Sequence, residues 1–143
     1  MTYTQSVPAQ IRDIDTTATA ALILRVTMGG LFLAHAWLKI AVFTPAGTAG
    51  YFASIGLPGA LGYLTIAAEL LGGLALVAGV YTRWVSLGLV PVLVGAAWFA
   101  HGSAGFIFSN PGGGWEYPAF WAVALVVQAL LGDGALALRR PAR

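Results

Sequence analysis

Residues 18–43, ATAALILRVTMGGLFLAHAWLKIAVF, form an apolar stretch in which the only ionisable residues are Arg25, His35 and Lys39. A bilayer core of about 30 Å is crossed by roughly 20 apolar residues in a helix, so the stretch reads as a membrane helix. A secretory signal has a shorter apolar core, no such charges and a small-residue cleavage site; this helix is expected to be retained. Three further stretches repeat the pattern: 59–80, with Glu69 as its one charge, 84–106, with Pro91 and His101 inside it, and 118–138, which fades around Gly132-Asp133-Gly134. The expected fold is all-α, an integral membrane bundle of four transmembrane helices over 18–138. A polar N-terminal tail covers 1–17 and a basic C-terminal tail 139–143.

Composition agrees. Of 143 residues, 59% are hydrophobic and 8% charged, where a soluble domain carries about 25% charged. The chain has no cysteine, which excludes disulfides, thiolate metal sites and thiol catalysis. Its basic residues are scattered, whereas phosphate recognition needs them clustered, so nucleic acid is excluded as a partner. The lipid bilayer is the expected partner; a redox partner protein and a homo-oligomer stay open. Four crossings put both termini on one side. Arg12, Arg25, Arg83, Arg139, Arg140 and Arg143 then lie on or near that side, with Lys39 alone toward the other. Basic residues accumulate on the cytoplasmic side of membrane proteins, so both termini are expected in the cytoplasm of a multi-pass protein.

The connections differ in character. Thr44 to Pro58 is too weakly apolar to span, and Tyr51 to Ile55 within it suits a short turn in the interface. Tyr81-Thr82-Arg83 reads as a tight turn, and SNPGGGWEYP (109–118) as a loop. Small residues allow membrane helices to approach closely. Gly88, Gly95 and Gly102, seven apart, and the pairs Ala68/Gly72 and Ala75/Gly79 are the expected packing faces.

Ionisable groups inside a membrane face the bundle interior or an aqueous cavity. At about 100° per residue, Arg25, His35 and Lys39 share one face of the first helix. Counting rise, His35 and Glu69 sit at nearly the same depth, with His101 close to the same end. The candidate ligand-binding set is therefore His35, Lys39, Glu69 and His101, with Trp115, Glu116 and Tyr117 of the loop folded over the mouth and Glu116 facing Lys39 or a histidine. The structural reading of the same residues is ion pairing, Glu69 with Arg25 or Lys39, and Asp133 as a second partner for Arg25. Lys39 can also snorkel along its stem, and Arg83 serves topology.

The chain resembles the DoxX family of small bacterial inner-membrane proteins. The matching segments are LRVTMGGLFLAHAWLKI (24–40), GYFASIGLP (50–58), AAELLGGLALVAGVYTR (67–83) and AHGSAGFIFSNPGGGWEYP (100–118). Within them the pattern is Arg25, HxxxK at 35–39, ELLGG at 69–73, TR at 82–83 and GGWEYP at 113–118. The resemblance implies a bacterial inner-membrane location. It also implies a kinship with the membrane subunit of a thiosulfate:quinone oxidoreductase or with accessory partners of oxidative-stress assemblies. It points to Arg25, His35, Lys39, Glu69, Arg83, His101, Trp115, Glu116 and Tyr117.

The leading functional expectation is a redox-associated membrane subunit that binds a quinone-type or other small amphipathic ligand in the outer half of the bundle. His, Lys and Glu supply the donors and proton route that quinone chemistry needs. No redox cofactor motif is present, so electrons would come from a partner. A haem or metal site between His35 and His101, joined for a divalent ion by Glu69 and Glu116, is an alternative set back by the lack of CxxCH and HxxxH. A structural partner protein without its own ligand is another. A transporter is disfavoured by the absence of an inverted repeat.

Overall fold

The computed structural model describes residues 15–138, and every regular element among them is helical. The tail expected over 1–17 lies outside the described residues except for 15–17, and that over 139–143 lies outside them entirely. Asp15 accepts a hydrogen bond from the Ala18 amide at 3.0 Å and caps α1 (Thr16–Trp37) in the way short polar side chains do. α1 runs without a break into a wider π-helical turn, Leu38–Val42. α2 (Pro45–Ser54) follows, then α3 (Ala60–Ala78), α4 (Thr82–Gly95) with its own π-helical turn (Ala96–Ala100), and α5 (Glu116–Leu131). Three helical stretches, Thr16–Val42, Ala60–Ala78 and Thr82–Ala100, are long and apolar enough to cross a membrane, while α5 is apolar but shorter.

Several boundaries depart from the sequence reading. α2 is a ten-residue helix where a short turn was expected. Thr44 Oγ1 accepts from the Gly47 amide at 3.1 Å and Pro45 sits in the first turn, a start signal in which proline needs no amide partner. The third apolar stretch leaves the helix at Ala100 and not 106, so His101 lies just outside it. The fourth stops at Leu131, because Gly132 and Gly134 adopt φ of +82° and +72°. The chain then turns back beneath the bundle, with the Ala135 amide on the Ala18 carbonyl and the Leu138 amide on that of Ala78.

The helices bury residues in alternating steps of four and three: Gly62, Ile66, Glu69, Gly73 and Leu76 on α3, and Thr82, Ser86, Leu89 and Leu93 on α4. This 3.5-residue repeat keeps one seam of each helix turned inward, as in bundles packed knobs-into-holes. α1 packs along α3 and α4 along α5, with α3 on α4 and α1 on α5 closing the ring. Trp84, Trp98, Phe120 and Leu130 point outward. That arrangement suits lipid as solvent, in which close packing replaces the hydrophobic drive.

α1 and α3 come closest at a pair of glycines. A Cβ on Gly29 would lie 2.8 Å from the Gly73 carbonyl oxygen, and one on Gly73 would lie 2.9 Å from that of Gly29. Gly72 receives the Leu89 side chain. The expected stripe of Gly88, Gly95 and Gly102 makes no such contact, since among the described residues a Cβ on either of the first two meets nothing within 4 Å and one on Gly102 meets only the Ala97 carbonyl oxygen at 3.6 Å. The stripe has the right period but sits one position before the Leu89 seam. Gly79 is the stop of α3: its φ is +71°, and the Val80 amide reaches back to the Ala75 carbonyl at 2.9 Å, closing a Schellman motif.

Arg25, 1% exposed, hydrogen-bonds carbonyls where a carboxylate was expected, while the charge of Asp133 acts on it without direct contact. Its Nη1 donates to the Leu76 and Val77 carbonyls at 2.9 and 2.8 Å, and its Nη2 to that of Ala135 at 3.0 Å. The last carbonyls of a helix have no partner within it and carry its negative dipole end, so they neutralise the guanidinium without Glu69. Asp133 accepts from the Thr82 amide at 3.1 Å.

The glycine crossing generates a prediction. Gly29→Ala should cost about 1–3 kcal/mol by overpacking, despite alanine's better helix propensity. Gly88→Ala should be neutral or slightly stabilising. Unfolding titrations in mixed micelles distinguish the two; equal behaviour would contradict the close approach.

Candidate functional site

At the end of the bundle that carries α2 and the 101–115 loop, the α1–α3 seam turns polar. Lys39 lies in the π-helical turn of α1. Its Nζ sits 3.0 and 2.9 Å from the two oxygens of Glu69, with side-chain exposures of 19% and 6%. Of the two cations that share this face of α1, Lys39 is thus the one that meets Glu69. Thr48 of α2 donates to the Thr44 carbonyl at 3.0 Å and packs over the Lys39 carbonyl, fixing α2 against the same turn. π-helical turns widen a helix by one residue and recur at functional sites. Here one carries Lys39 and the other ends at His101.

His35, one turn before Lys39, places its ring edge-on to Trp121 of α5, centroids 5.3 Å apart. Phe32 and Tyr117 pack on the same indole at 4.5 and 5.8 Å. Trp121 is 3% exposed and its Nε1 has no hydrogen-bond partner among the described residues, an uncommon state for a buried donor. Between these groups lies a cavity of about 990 Å³, with His35, Lys39, Glu69, His101, Tyr117 and Trp121 on its walls and apolar side chains of α2, α3 and α4 around the rest. Ligand pockets share this make-up of apolar walls with few convergent polar groups.

The loop does not close on Lys39. Glu116 accepts from the Phe108 amide at 2.7 Å, and its place in the first turn of α5 suits a carboxylate at a helix N-terminus. Trp115 stacks edge-on against Phe106 at 4.8 Å and Tyr117 leans on Phe108 at 5.9 Å. Gly114 is pressed on the Phe106 and Ile107 backbone, leaving no room for a side chain. Trp115 and Glu116 border a second hollow of about 1120 Å³, which shares His35, His101, Tyr117 and Pro118 with the first. Of the expected set, His35, Lys39, Glu69, His101 and Tyr117 therefore meet at one cavity; Trp115 and Glu116 stand beside it, and Arg25 and Asp133 lie at the opposite end. The four residues weighed for a divalent ion divide, since Glu69 is held by Lys39 and Glu116 by the Phe108 amide. Trp121 and Thr48 are additions. Trp121 was legible as a large ring one turn inside the Trp115/Tyr117 cluster, on the side of Leu125.

A family model described as DoxX matches residues 20–102. The chain belongs to the DoxX family. The matched segment contains Arg25, the crossing glycines, the Lys39–Glu69 pair and His101. A Bacillus subtilis (strain 168) protein named "Putative oxidoreductase CatD" is 39% identical over 75 residues. That alignment covers 52% of this DoxX chain and 54% of the relative, so it spans about half the length of each. No solved structure matches.

Breaking a buried ion pair by neutralising one partner costs about 3–5 kcal/mol, whereas replacing both with apolar groups is often neutral. Glu69→Gln should therefore lower unfolding stability by about 3 kcal/mol, and the double variant Lys39→Met, Glu69→Leu should recover most of it. An unchanged Glu69→Gln protein would mean that Lys39 reaches water instead.

Proposed function

We propose that this DoxX protein is a redox-associated membrane subunit whose cavity at the α2 end takes the head of a quinone-type amphiphile. The carrying observation is one cavity wall that combines a bidentate Lys39–Glu69 pair, His35, His101 and a Trp121 indole without a hydrogen-bond partner among the described residues, in apolar surroundings. A quinone head needs donors at its carbonyls and a group that takes or gives a proton. Its isoprenoid tail needs apolar surface continuous with lipid. The oxidoreductase named among its relatives supports the redox part. The chain has no cysteine and no recognised cofactor motif, so the electrons come from a partner protein.

In this reading α5 is the fourth crossing, and its 16 residues, about 24 Å of helix, are completed at the membrane face by the segment after Gly132. Both termini are cytoplasmic, the location is the bacterial inner membrane, and the cavity opens toward the outer face. The arginine excess at the termini supports this orientation.

Two measurements check the proposal. A short-chain ubiquinone analogue should quench tryptophan fluorescence on binding, with affinity about five-fold weaker in His35→Ala, and its ubiquinol form should bind about five-fold more weakly to His101→Ala, each the worth of one hydrogen bond, and both should be unchanged in Arg83→Ala. Equal affinity in all three variants would place the ligand elsewhere. Reporter fusions at either terminus should be active only in their cytosolic form; a periplasmic C-terminus would remove α5 from the span count.

A further inference from the structure

His101 is held in an unusually defined way. Its Nδ1 lies 3.0 Å from both the Gly112 and the Gly113 carbonyl oxygens. A carbonyl only accepts, so Nδ1 carries the proton and Nε2 of the neutral ring is left with its lone pair. Among the described residues none hydrogen-bonds Nε2. The loop is shaped for this hold. Gly112 and Gly113 adopt φ of +90° and +71°, and a Cβ on Gly113 would come 3.3 Å from Nδ1. The three glycines that were expected to lower aromatic rings over the bundle instead bring two carbonyls to one imidazole.

The ring stands on the wall common to the cavity and the loop hollow. Beneath the cavity the bundle is filled by Phe32, Leu76, Leu89 and Leu125, so the polar groups of the site look toward the loop end. The titratable groups on the surrounding walls are already engaged or differently placed. Lys39 and Glu69 bind each other, Glu116 is on the Phe108 amide, His35 is edge-on to Trp121, and Tyr117 packs on Phe108 and Trp121.

We propose that His101 is the proton-delivering residue of this site, with Nε2 the atom that carries the proton. The inference rests on the quinone-type reading for the ligand but on the loop geometry for the residue and the atom. Nε2 takes a proton from water in the loop hollow, giving an imidazolium whose Nδ1–H remains on its two carbonyls. As the partner protein supplies two electrons to the quinone head, the Nε2–H bond breaks and the proton joins one ring oxygen, which becomes a hydroxyl. Nε2 regains its lone pair and accepts from that hydroxyl. The second proton of the two-electron reduction reaches the other ring oxygen from water.

The test uses the full chain in lipid nanodiscs with a short-chain ubiquinol and the matching ubiquinone. A neutral Nε2 accepts from the quinol hydroxyl, whereas a protonated Nε2 donates to the quinone carbonyl. Acidification that protonates His101 should therefore weaken quinol binding about five-fold, the worth of one hydrogen bond, and should not weaken quinone binding. His101→Gln, whose side-chain amide can still donate to the loop carbonyls, should lose the dependence of quinol binding on pH. Nitrogen-15 spectra of histidine-labelled protein should show His101 as the Nδ1–H tautomer, moved toward a mixture by Gly113→Ala. An Nε2–H tautomer in the wild type overturns the proposal, as does His101→Gln that keeps the pH dependence; binding itself then leaves the ligand reading standing. Failure of either ligand to bind at any pH overturns both.

Discussion

The close crossing of α1 and α3 at Gly29 and Gly73 is the constraint on which the rest depends. Two helix backbones can approach this far only where neither has a side chain, and in lipid such contact is a main source of helix association. The crossing fixes the register of everything else on the seam. One turn toward the termini it delivers Arg25 to the final carbonyls of α3, and several residues the other way it delivers Lys39 to Glu69. Each pairing neutralises a charge that the bilayer would otherwise expel. A slip of one residue on either helix would forfeit both.

The two ends of the bundle are finished differently. At the termini end, Arg25, Asp133 and the returning chain after Gly132 tie α1, α3 and α4 together through backbone groups, leaving a closed and packed half. At the other end α2 leans on α3, α1 and α4 relax into π-helical turns, and the helices part around a cavity. Close packing is concentrated in one half and open volume in the other. Under the proposed function, an amphiphile seated in the open half would leave the packing of the other half in place.

Much of this was legible in the sequence. Composition and run length gave the helical membrane class, and the helical angle between Arg25, His35 and Lys39 placed them on one face. Rise counting put His35 and Glu69 at nearly the same depth, with His101 close to the same end, where the cavity lies. What was missed has physical causes. Counting on an ideal helix carries no signal for a π-helical turn, so the choice between Arg25 and Lys39 as the partner of Glu69 stayed open. Arg25 found carbonyls, which every residue possesses and which no side-chain pattern announces. Gly88 and Gly95 have a packing period, but the seam to which they were assigned runs through Thr82, Ser86, Leu89 and Leu93. The residue before a proline and the run of small residues in α2 concealed a helix whose start is set by the Thr44 hydroxyl. Glu116 read as a charge in search of a cation and was instead satisfied by an amide of its own loop.

The central claim is that the ligand sits between Lys39–Glu69 and the two histidines. Photolabelling with an azido-quinone in native membranes, followed by mass mapping of the labelled residues, tests it most directly. Label on the α1 segment from His35 to Phe43, on α3 near Glu69, or on Tyr117 to Trp121 is the predicted result. Label confined to the Arg25 end of the bundle, or spread along the lipid-facing Trp84, Trp98 and Leu130, would contradict it.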